Sequence, residues 1–331
     1  MRVFLTGATG FVGSHVALAL HAAGANLRLL ARKTSRTEHL EGLDAELVQG
    51  DLLQPKNLRT ALTNCDALIH VAADYRLWVP SPDAMYAANV EGTRALLHMA
   101  RENRVRRIVY TSSVATMGFR SDGTIASEKT PVSIDDMVGH YKRSKFMAEQ
   151  VAIEAAHTGM PIVILNPTTP IGANDFRPTP TGRIVVDFLN RRFPAYVDTG
   201  LNFVDVTSVA AMHVAALEQG TPGQRYILGG ENLTLKEFLD RMATMTGLPS
   251  PKIRVPHSVA MTFAFFDEWI TGRFQGKEPR ATVEAVRMGK KKMFASSQKA
   301  ERELGYAAVP ITNALKDAIG WFRSNGYAPA R

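Results

Sequence analysis

Short β-rich runs alternate with longer helical patterns through the first half of the chain, and this alternation restricts the fold more than any other feature. Strands are predicted at 2–6, 26–31, 45–49, 67–72, 107–112 and 161–166, and helices at 11–23, 55–63, 85–103 and 141–157. Strands that alternate with helices build a parallel sheet covered by helices, and right-handed crossovers make it doubly wound. Ligands of such α/β sheets bind beyond the carboxyl ends of the strands.

A Pro/Thr/Gly-rich stretch at 167–182 predicts an irregular loop that opens a second region. The fold expected is a Rossmann sheet with a smaller C-terminal α/β substrate lobe. Residues 1–166 form the dinucleotide-binding domain in this prediction, and 203–229 return to it. Residues 167–202 and 230–331 form the substrate lobe, with helices at 235–246, 257–270 and 311–325.

Composition excludes several classes of protein. The 331 residues include one cysteine, Cys65, so neither a disulfide framework nor a cysteine-based metal site is predicted. The start of the chain lacks the pattern of a signal peptide, and a cytoplasmic location is expected. The net charge is +8, but the densest basic cluster, Lys290–Lys292, has no interleaved aromatics, which argues against nucleic acid.

The apolar run Val259–Phe266 is much shorter than the roughly 20 residues of a spanning helix. No transmembrane segment is therefore predicted. With Trp269 and Phe274, the run can form core, the wall of a lipid pocket or a peripheral membrane contact, and the sequence leaves all three open.

Three glycines spaced by three residues follow the first predicted strand and open the first predicted helix. Gly7, Gly10 and Gly13 allow a tight turn, the approach of backbone to a pyrophosphate, and close packing of helix on strand. The free N–H groups and positive dipole end of the helix favour phosphate. This position in an α/β pattern predicts dinucleotide binding.

The end of the second strand favours NADP(H), with NAD as the alternative. An acidic residue there would hold the unphosphorylated ribose 2′-hydroxyl of NAD, but this chain has Arg32 and Lys33, which can neutralise a 2′-phosphate. A solvated turn is the alternative for the basic pair. Asp51 is predicted to accept from the adenine amino group, or else to cap the helix that follows.

Tyr141 and Lys145 lie four residues apart in a helical pattern and therefore share a face. A nearby ammonium and an oxidised nicotinamide would both favour the phenolate, so Tyr141 is predicted to have a lowered pKa and to exchange a proton with substrate. Ser113, at the end of the fifth strand, is placed to polarise the same oxygen. Asn89 is a candidate for a helix kink or a proton relay. A surface pair is the alternative for Tyr141 and Lys145.

These motifs, in this order, resemble the extended short-chain dehydrogenases, a group that includes sugar-nucleotide epimerases, dihydroflavonol reductases and 3β-hydroxysteroid dehydrogenases. The resemblance covers nearly the whole length. It implies that Ser113 orients substrate, Tyr141 is the acid/base, Lys145 supports it and Asn89 helps a relay. The residues expected at the cofactor are Gly7, Thr9, Gly10, Phe11, Val12, Gly13, Arg32, Lys33, Asp51, Leu52, Ala72, Ala73, Tyr141, Lys145, Pro167 and Thr169.

Longer strings resemble the hopanoid-associated sugar epimerases, a group named for its gene neighbourhood. They run over residues 74–78, 139–145, 166–172, 178–183 and 195–200. The predicted substrate residues are Tyr75, Trp78, Ser113, Thr168, Arg183 and Tyr196. The aromatic rings can stack on a sugar or on the polar end of a polycyclic lipid. Packing in the core or between domains is the alternative for each ring.

The function expected is that of an NADP(H)-dependent reductase or dehydrogenase acting on a hydroxyl or carbonyl of a sugar-derived or lipid-linked substrate, in hopanoid biosynthesis. A sugar epimerase with tightly held cofactor and a non-catalytic dinucleotide-binding protein are the alternatives. No metal is predicted. The helices at 85–103 and 141–157 are expected to present a homodimer face, as in many of these dehydrogenases.

Overall fold

The computed structural model describes residues 1–120, 122–274, 279 and 281–330. Its strands are β1 (Arg2–Thr6), β2 (Asn26–Ala31), β3 (Ala45–Gln49), β4 (Ala67–His70), β5 (Arg107–Thr111), β6 (Ile162–Pro167), β7 (Thr169–Ile171), β8 (Ala195–Val197), β9 (Gly200–Asp205), β10 (Arg225–Leu228), β11 (Glu231–Thr234) and β12 (Ile253–Val255). Its α-helices are α1 (Phe11–Ala22), α2 (Pro55–Ala61), α3 (Asp83–Tyr86), α4 (Gly92–Glu102), α5 (Gly139–His157), α6 (Pro180–Leu189), α7 (Val206–Gln219), α8 (Leu235–Thr246), α9 (His257–Asp267), α10 (Val283–Met288), α11 (Gln298–Leu304) and α12 (Thr312–Ser324).

Seven parallel strands form the central sheet in the order β10-β6-β5-β4-β1-β2-β3. Successive residues of β1 enter different cores, because side chains alternate across a strand. Val3 and Leu5 pack on one face of the sheet, and Phe4 packs on the other. The doubly wound α/β fold predicted from the sequence is confirmed. The strand order reverses between β1 and β4, which is where ligands of such sheets bind.

The second region is built on two small sheets and a separate core. β7, β9 and β11 form a mixed sheet, and β8 pairs with β12 in parallel. Phe203 of β9 stacks on Phe238 of α8 with ring centroids 4.1 Å apart. Both rings belong to a core that also includes residues of α6 and α12.

The segment 203–229 contributes to both parts of the molecule. Val209 and Leu217 of α7 pack in the core on one face of the central sheet, and β10 is an edge strand of that sheet. The strand before α7 instead pairs in the small mixed sheet, where Phe203 lies opposite Thr169. The division into two domains stays a prediction.

The structure corrects one local expectation and refines another. Residues 167–182 are not an irregular loop throughout, since they include β7 and the start of α6. Thr179 caps α6 by accepting from the Gly182 amide at 3.1 Å, and Pro180 occupies the first turn, where a missing N–H costs little. The helix predicted at 85–103 is interrupted by a π-helical turn at Ala87–Glu91.

Candidate active site

The glycine loop lies at the carboxyl end of β1, against the end of β4. Gly7 has a φ of +82°, and a Cβ added to it would lie 2.6 Å from the Ala72 amide nitrogen. A Cβ on Gly13 would lie 2.0 Å from the Gly7 carbonyl oxygen. Gly10 is the N-cap of α1 and offers no side chain to its first amides. Only glycine can occupy positions 7 and 13 without a steric clash. The N-terminus of α1 is therefore open to a pyrophosphate.

The other predicted cofactor residues lie at the ends of neighbouring strands. Thr9, Phe11 and Val12 belong to the loop and the first turn of α1; Arg32 and Lys33 follow β2; Asp51 and Leu52 follow β3; Ala72 and Ala73 follow β4; Pro167 ends β6 and Thr169 begins β7. The carboxyl ends of parallel strands share one edge of a sheet, so most of this set faces one crevice.

Arg32 and Lys33 are both exposed. Burial raises the pKa of the Asp74 carboxyl, but hydrogen bonds from Arg76 and the positive charges of Arg76 and Arg32 together hold it below its usual value. The charge of Arg32, which follows β2, therefore acts on the segment that follows β4. A basic side chain at this position can meet an anionic group of a bound dinucleotide.

Asp51 does not cap α2, so that alternative is wrong. The N-cap of α2 is Gln54, and the Asp51 carboxylate accepts from the Leu53 amide at 3.0 Å within the preceding turn. Leu52 packs against Gly92, where an added Cβ would lie 3.1 Å from the Leu52 Cβ. The contact of Asp51 with adenine stays a prediction.

Ser113 and Tyr141 meet across the end of β5. Gly139, with a φ of +85°, begins α5 and places Tyr141 in its first turn. The Ser113 side chain is hydrogen-bonded to Tyr141. Burial raises the pKa of Tyr141, and the bond from Ser113 offsets only part of that rise. The expectation of a lowered pKa is wrong for the chain alone, because desolvation of the phenolate outweighs its neighbours.

Lys145 is buried one turn further along α5. Its Nζ donates to the Thr111 carbonyl at 2.9 Å and to the Tyr110 hydroxyl at 3.3 Å, and it lies 5.0 Å from the centroid of the Tyr110 ring. Burial lowers the pKa of Lys145 to about 8, and the negative charge of Glu149 opposes this shift. The ammonium is therefore held in place by the backbone and ring of β5.

A chain of buried polar groups continues behind Lys145. Tyr110 is hydrogen-bonded to Thr93, and the Thr93 hydroxyl lies 2.9 Å from His70 Nε2. His70 Nδ1 lies 2.7 Å from the Thr6 hydroxyl. Burial lowers the pKa of His70 to about 3, so the ring is neutral and serves as a hydrogen-bonding bridge. The sequence alone predicts no role for Tyr110. Its one signal in the sequence is a tyrosine within β5, three residues before Ser113.

Asn89 lies in the π-helical turn and joins three segments. Its Oδ1 accepts from the Asp74 amide at 2.7 Å, and its Nδ2 donates to the Asp74 carbonyl and to the Ser144 hydroxyl, both at 2.9 Å. Single π-helical turns are frequent at functional sites. Asn89 thereby connects α5, through Ser144, to the segment after β4. This agrees with the kink expected at Asn89; its part in a relay stays a prediction.

Three of the predicted substrate residues lie between the two parts of the molecule. The Tyr75 hydroxyl donates to the Arg177 carbonyl at 3.5 Å, and the positive charge of Arg183 acts on the same phenol. Trp78 lies against Gly272, where an added Cβ would be 3.1 Å from the indole. Tyr75, Trp78 and Arg183 therefore border the region between the central sheet and the second lobe.

Two further predicted substrate residues have other contacts. The Thr168 hydroxyl donates to the Leu228 carbonyl at 3.3 Å, just beyond the last residue pair of β6 and β10. The Tyr196 ring lies in β8, 5.9 Å from the Lys236 ammonium, and packs on the core of the second lobe. For Tyr196 these contacts fit the packing alternative.

Within the described residues, no group of three or more His, Cys, Asp and Glu side chains is arranged to hold a metal ion. Among the same residues, no helix combines the length and the apolar character needed to span a bilayer.

Residues 3–229 match the NAD dependent epimerase/dehydratase family. The chain is 44% identical over 328 residues to a protein of Synechocystis sp. provisionally named dihydroflavonol 4-reductase, covering 98% of this chain and 95% of the relative. It is 32% identical over 327 residues to sterol demethylase protein B of Methylococcus capsulatus, covering 98% and 99%. The crystal structure of gox2253 superposes with a TM-score of 0.89 at 48% identity, covering 99% of each chain.

Proposed function

The chain belongs to the NAD dependent epimerase/dehydratase family, whose enzymes use NAD(P), and we propose that it is an NADP(H)-dependent reductase or dehydrogenase. It acts on a hydroxyl or carbonyl group of its substrate. The observation that carries this proposal is the meeting of Ser113 and Tyr141 at the carboxyl end of β5, with Lys145 one turn along α5. The glycine loop lies at the same edge of the sheet. Acid/base groups and a dinucleotide cradle thus face one crevice.

The chain's own residues supply the proton chemistry. When bound, the nicotinamide supplies or accepts a hydride at carbon. In the reductive direction, the Tyr141 hydroxyl gives a proton to the oxygen of the substrate carbonyl. In the oxidative direction, it takes a proton from the substrate alcohol. Ser113, which is hydrogen-bonded to Tyr141, orients that oxygen. Because burial raises the pKa of Tyr141, its protonated form predominates at neutral pH, and this suits proton donation in the reductive direction.

Arg32 and Lys33 support NADP(H) over NAD(H), because two exposed cations follow β2 where a 2′-phosphate would lie. Equilibrium binding of NADPH and NADH tests this directly. The double variant Arg32→Glu/Lys33→Glu is expected to weaken NADPH binding by about 100-fold through loss of phosphate contacts and added repulsion. Lys316→Glu, on the exposed face of α12, is the matched control and should leave binding unchanged. A wild-type preference for NADH would contradict the assignment.

The substrate proposed is sugar-derived or lipid-linked, in hopanoid biosynthesis. Tyr75, Trp78 and Arg183 support it, since two aromatic rings and a guanidinium can hold a polyhydroxylated or polycyclic molecule. The names of the two relatives refer to a sterol and to a dihydroflavonol, which are both polycyclic. A homodimer and a cytoplasmic location stay predictions.

A sugar epimerase is the second candidate, supported by the name of the family. The two reactions differ in cofactor balance. A reductase consumes one NADPH for each molecule of product, whereas an epimerase oxidises and re-reduces its substrate with no net consumption. Absorbance of the nicotinamide during turnover distinguishes them: a stoichiometric fall supports the reductase, and product formed at constant absorbance supports the epimerase.

A further inference from the structure

The helix α9 and the π-helical turn Glu268–Phe274 that continues it turn their apolar side chains outward. Seven of these side chains are between 46% and 72% exposed: Val259, Phe263, Phe265, Phe266, Trp269, Ile270 and Phe274. Val259, Phe263, Phe266 and Ile270 are spaced by three or four residues and share one face. Ala264, in contrast, is buried. A folded chain rarely exposes so many large apolar side chains on one element without a partner.

The acidic side chains of this segment are directed away from that surface. The Asp267 carboxylate accepts from the Thr271 hydroxyl at 2.7 Å and from the Ala281 amide at 3.0 Å. Glu268 Oε1 accepts from the Val283 amide at 2.8 Å. Both carboxylates therefore bond to the second lobe's own chain, and the exposed apolar face gains little negative charge from them.

Basic residues border the apolar face. The sequence from 252 to 292 has nine Lys and Arg against four Asp and Glu. Arg254 NH2 lies 2.7 Å from Asp198 Oδ2, Lys292 Nζ lies 4.0 Å from Asp198 Oδ1, and His257 Nε2 lies 2.9 Å from the Asp198 carbonyl oxygen. These contacts hold basic residues from both ends of the segment near the first turn of α9, where the Asp198 carboxylate offsets one of their positive charges. Lys252, Lys290 and Lys291 are exposed beside them.

We propose that the exposed face of α9 and its π-helical extension docks on an anionic lipid surface. Phenylalanine and tryptophan side chains bind in the boundary between headgroups and acyl chains, and flanking cations bind anionic headgroups. A second copy of the chain fits less well. A symmetric dimer through this face would bring two net-positive segments together, since Asp267 and Glu268 bond to their own chain.

The docking face is joined to the candidate active site. The π-helical turn contacts Trp78 at Gly272. The Glu284 carboxyl of α10, which packs beside α9, lies where a side chain of Gly139 would be, two residues before Tyr141. Docking therefore places a bilayer beside the elements that border the site. The proposal does not depend on the reaction at that site, and its test uses no substrate.

The experiment is flotation of the full-length protein with two kinds of vesicle: pure phosphatidylcholine, and phosphatidylcholine mixed with phosphatidylglycerol. The wild type is expected to float with the mixed vesicles, less at high salt, and weakly or not at all with pure phosphatidylcholine. The variant Phe263→Ser/Phe266→Ser is expected to lower the partition coefficient by about 30-fold or more. Both rings are exposed, so their loss should not disturb folding.

Two controls sharpen the result. Ile125→Ser/Val309→Ser removes two exposed apolar side chains elsewhere and should float like wild type. Lys290→Glu/Lys291→Glu keeps the apolar face and should lose the preference for mixed vesicles. The proposal is overturned if the wild type does not float, or if Phe263→Ser/Phe266→Ser floats as well as wild type. It is also overturned if the wild type binds no vesicles and light scattering shows that it forms a dimer which Phe263→Ser/Phe266→Ser abolishes.

Discussion

Replacing Asp175 by Asn should stabilise the protein above about pH 6. Asp175 is 2% exposed. Its Oδ2 accepts from the amide and the hydroxyl of Thr179, both at 2.8 Å, whereas its Oδ1 has no hydrogen-bond partner among the described groups. Burial raises the pKa of Asp175 from 3.8 to about 6, although the bonds from Thr179 and the charge of Arg183 oppose the rise. The ionised carboxylate is therefore the unfavourable form in the folded chain.

The sign and size of the effect follow from that shift. Because the folded pKa exceeds the unfolded one, this group's contribution to stability is fully present below about pH 4 and is lost as the pH rises through about 6. A shift of about two pH units corresponds to ~3 kcal/mol. Asparagine stays neutral and keeps an acceptor for Thr179, but its amide would be placed where Oδ1 lacks a partner, at a cost of ~1–2 kcal/mol. A net gain of ~1–2 kcal/mol remains at neutral pH.

Urea unfolding of wild type and Asp175→Asn across this pH range measures the effect. Other carboxyl groups titrate in both proteins, so the informative quantity is the difference between the two free energies of unfolding at each pH. It should move in favour of the variant by ~3 kcal/mol between about pH 4 and 7 and then level off. Asp317→Asn, on the exposed face of α12, should show no such change. A difference that stays constant with pH would refute the reasoning.

Two further predictions concern α5. Glu149→Gln should lower the free energy of unfolding, measured in urea, by ~3 kcal/mol. Glu149 is fully buried and accepts from Arg225 NH1 at 2.9 Å, so the loss of its charge leaves that guanidinium poorly compensated. The exposed Glu218→Gln should change stability little, and a Glu149→Gln variant as stable as wild type would contradict this role. Since burial lowers the pKa of Lys145 to about 8, its positive charge is lost as the pH rises through that value, so kcat/KM should fall about tenfold per pH unit above it. In Lys145→Arg this inflection should disappear, and its persistence would assign it to another group.

The elements of the central sheet could be predicted because each depends on local pattern. The residue ranges of β1, β2 and β3 match the sequence prediction at both ends. β1 and β2 are short, mostly buried apolar runs bounded by turn residues, whereas the edge strand β3 is partly exposed. The glycine loop was predictable for a related reason, since steric restriction at Gly7 and Gly13 leaves a direct trace in residue type.

Features that depend on long-range contacts left weaker signals in the sequence. The π-helical turn depends on the bonds of Asn89 to Asp74 and Ser144, which are 15 and 55 residues away in sequence. The pKa of Tyr141 rises through burial by residues that the spacing of Tyr141 and Lys145 does not reveal. The neighbours of Lys145 on β5 follow only from the packing of α5 on the sheet.

Turnover by Tyr141→Phe tests the central claim most directly. Phenylalanine keeps the ring that α5 places at the end of β5 and removes the hydroxyl bonded to Ser113. If Tyr141 transfers the proton, the variant should lose about 10³-fold in turnover and bind NADPH within about threefold of wild type. Tyr327→Phe, whose hydroxyl donates to the Phe176 carbonyl in the second lobe, is the matched control and should retain activity. Turnover by Tyr141→Phe within about threefold of wild type would contradict the account.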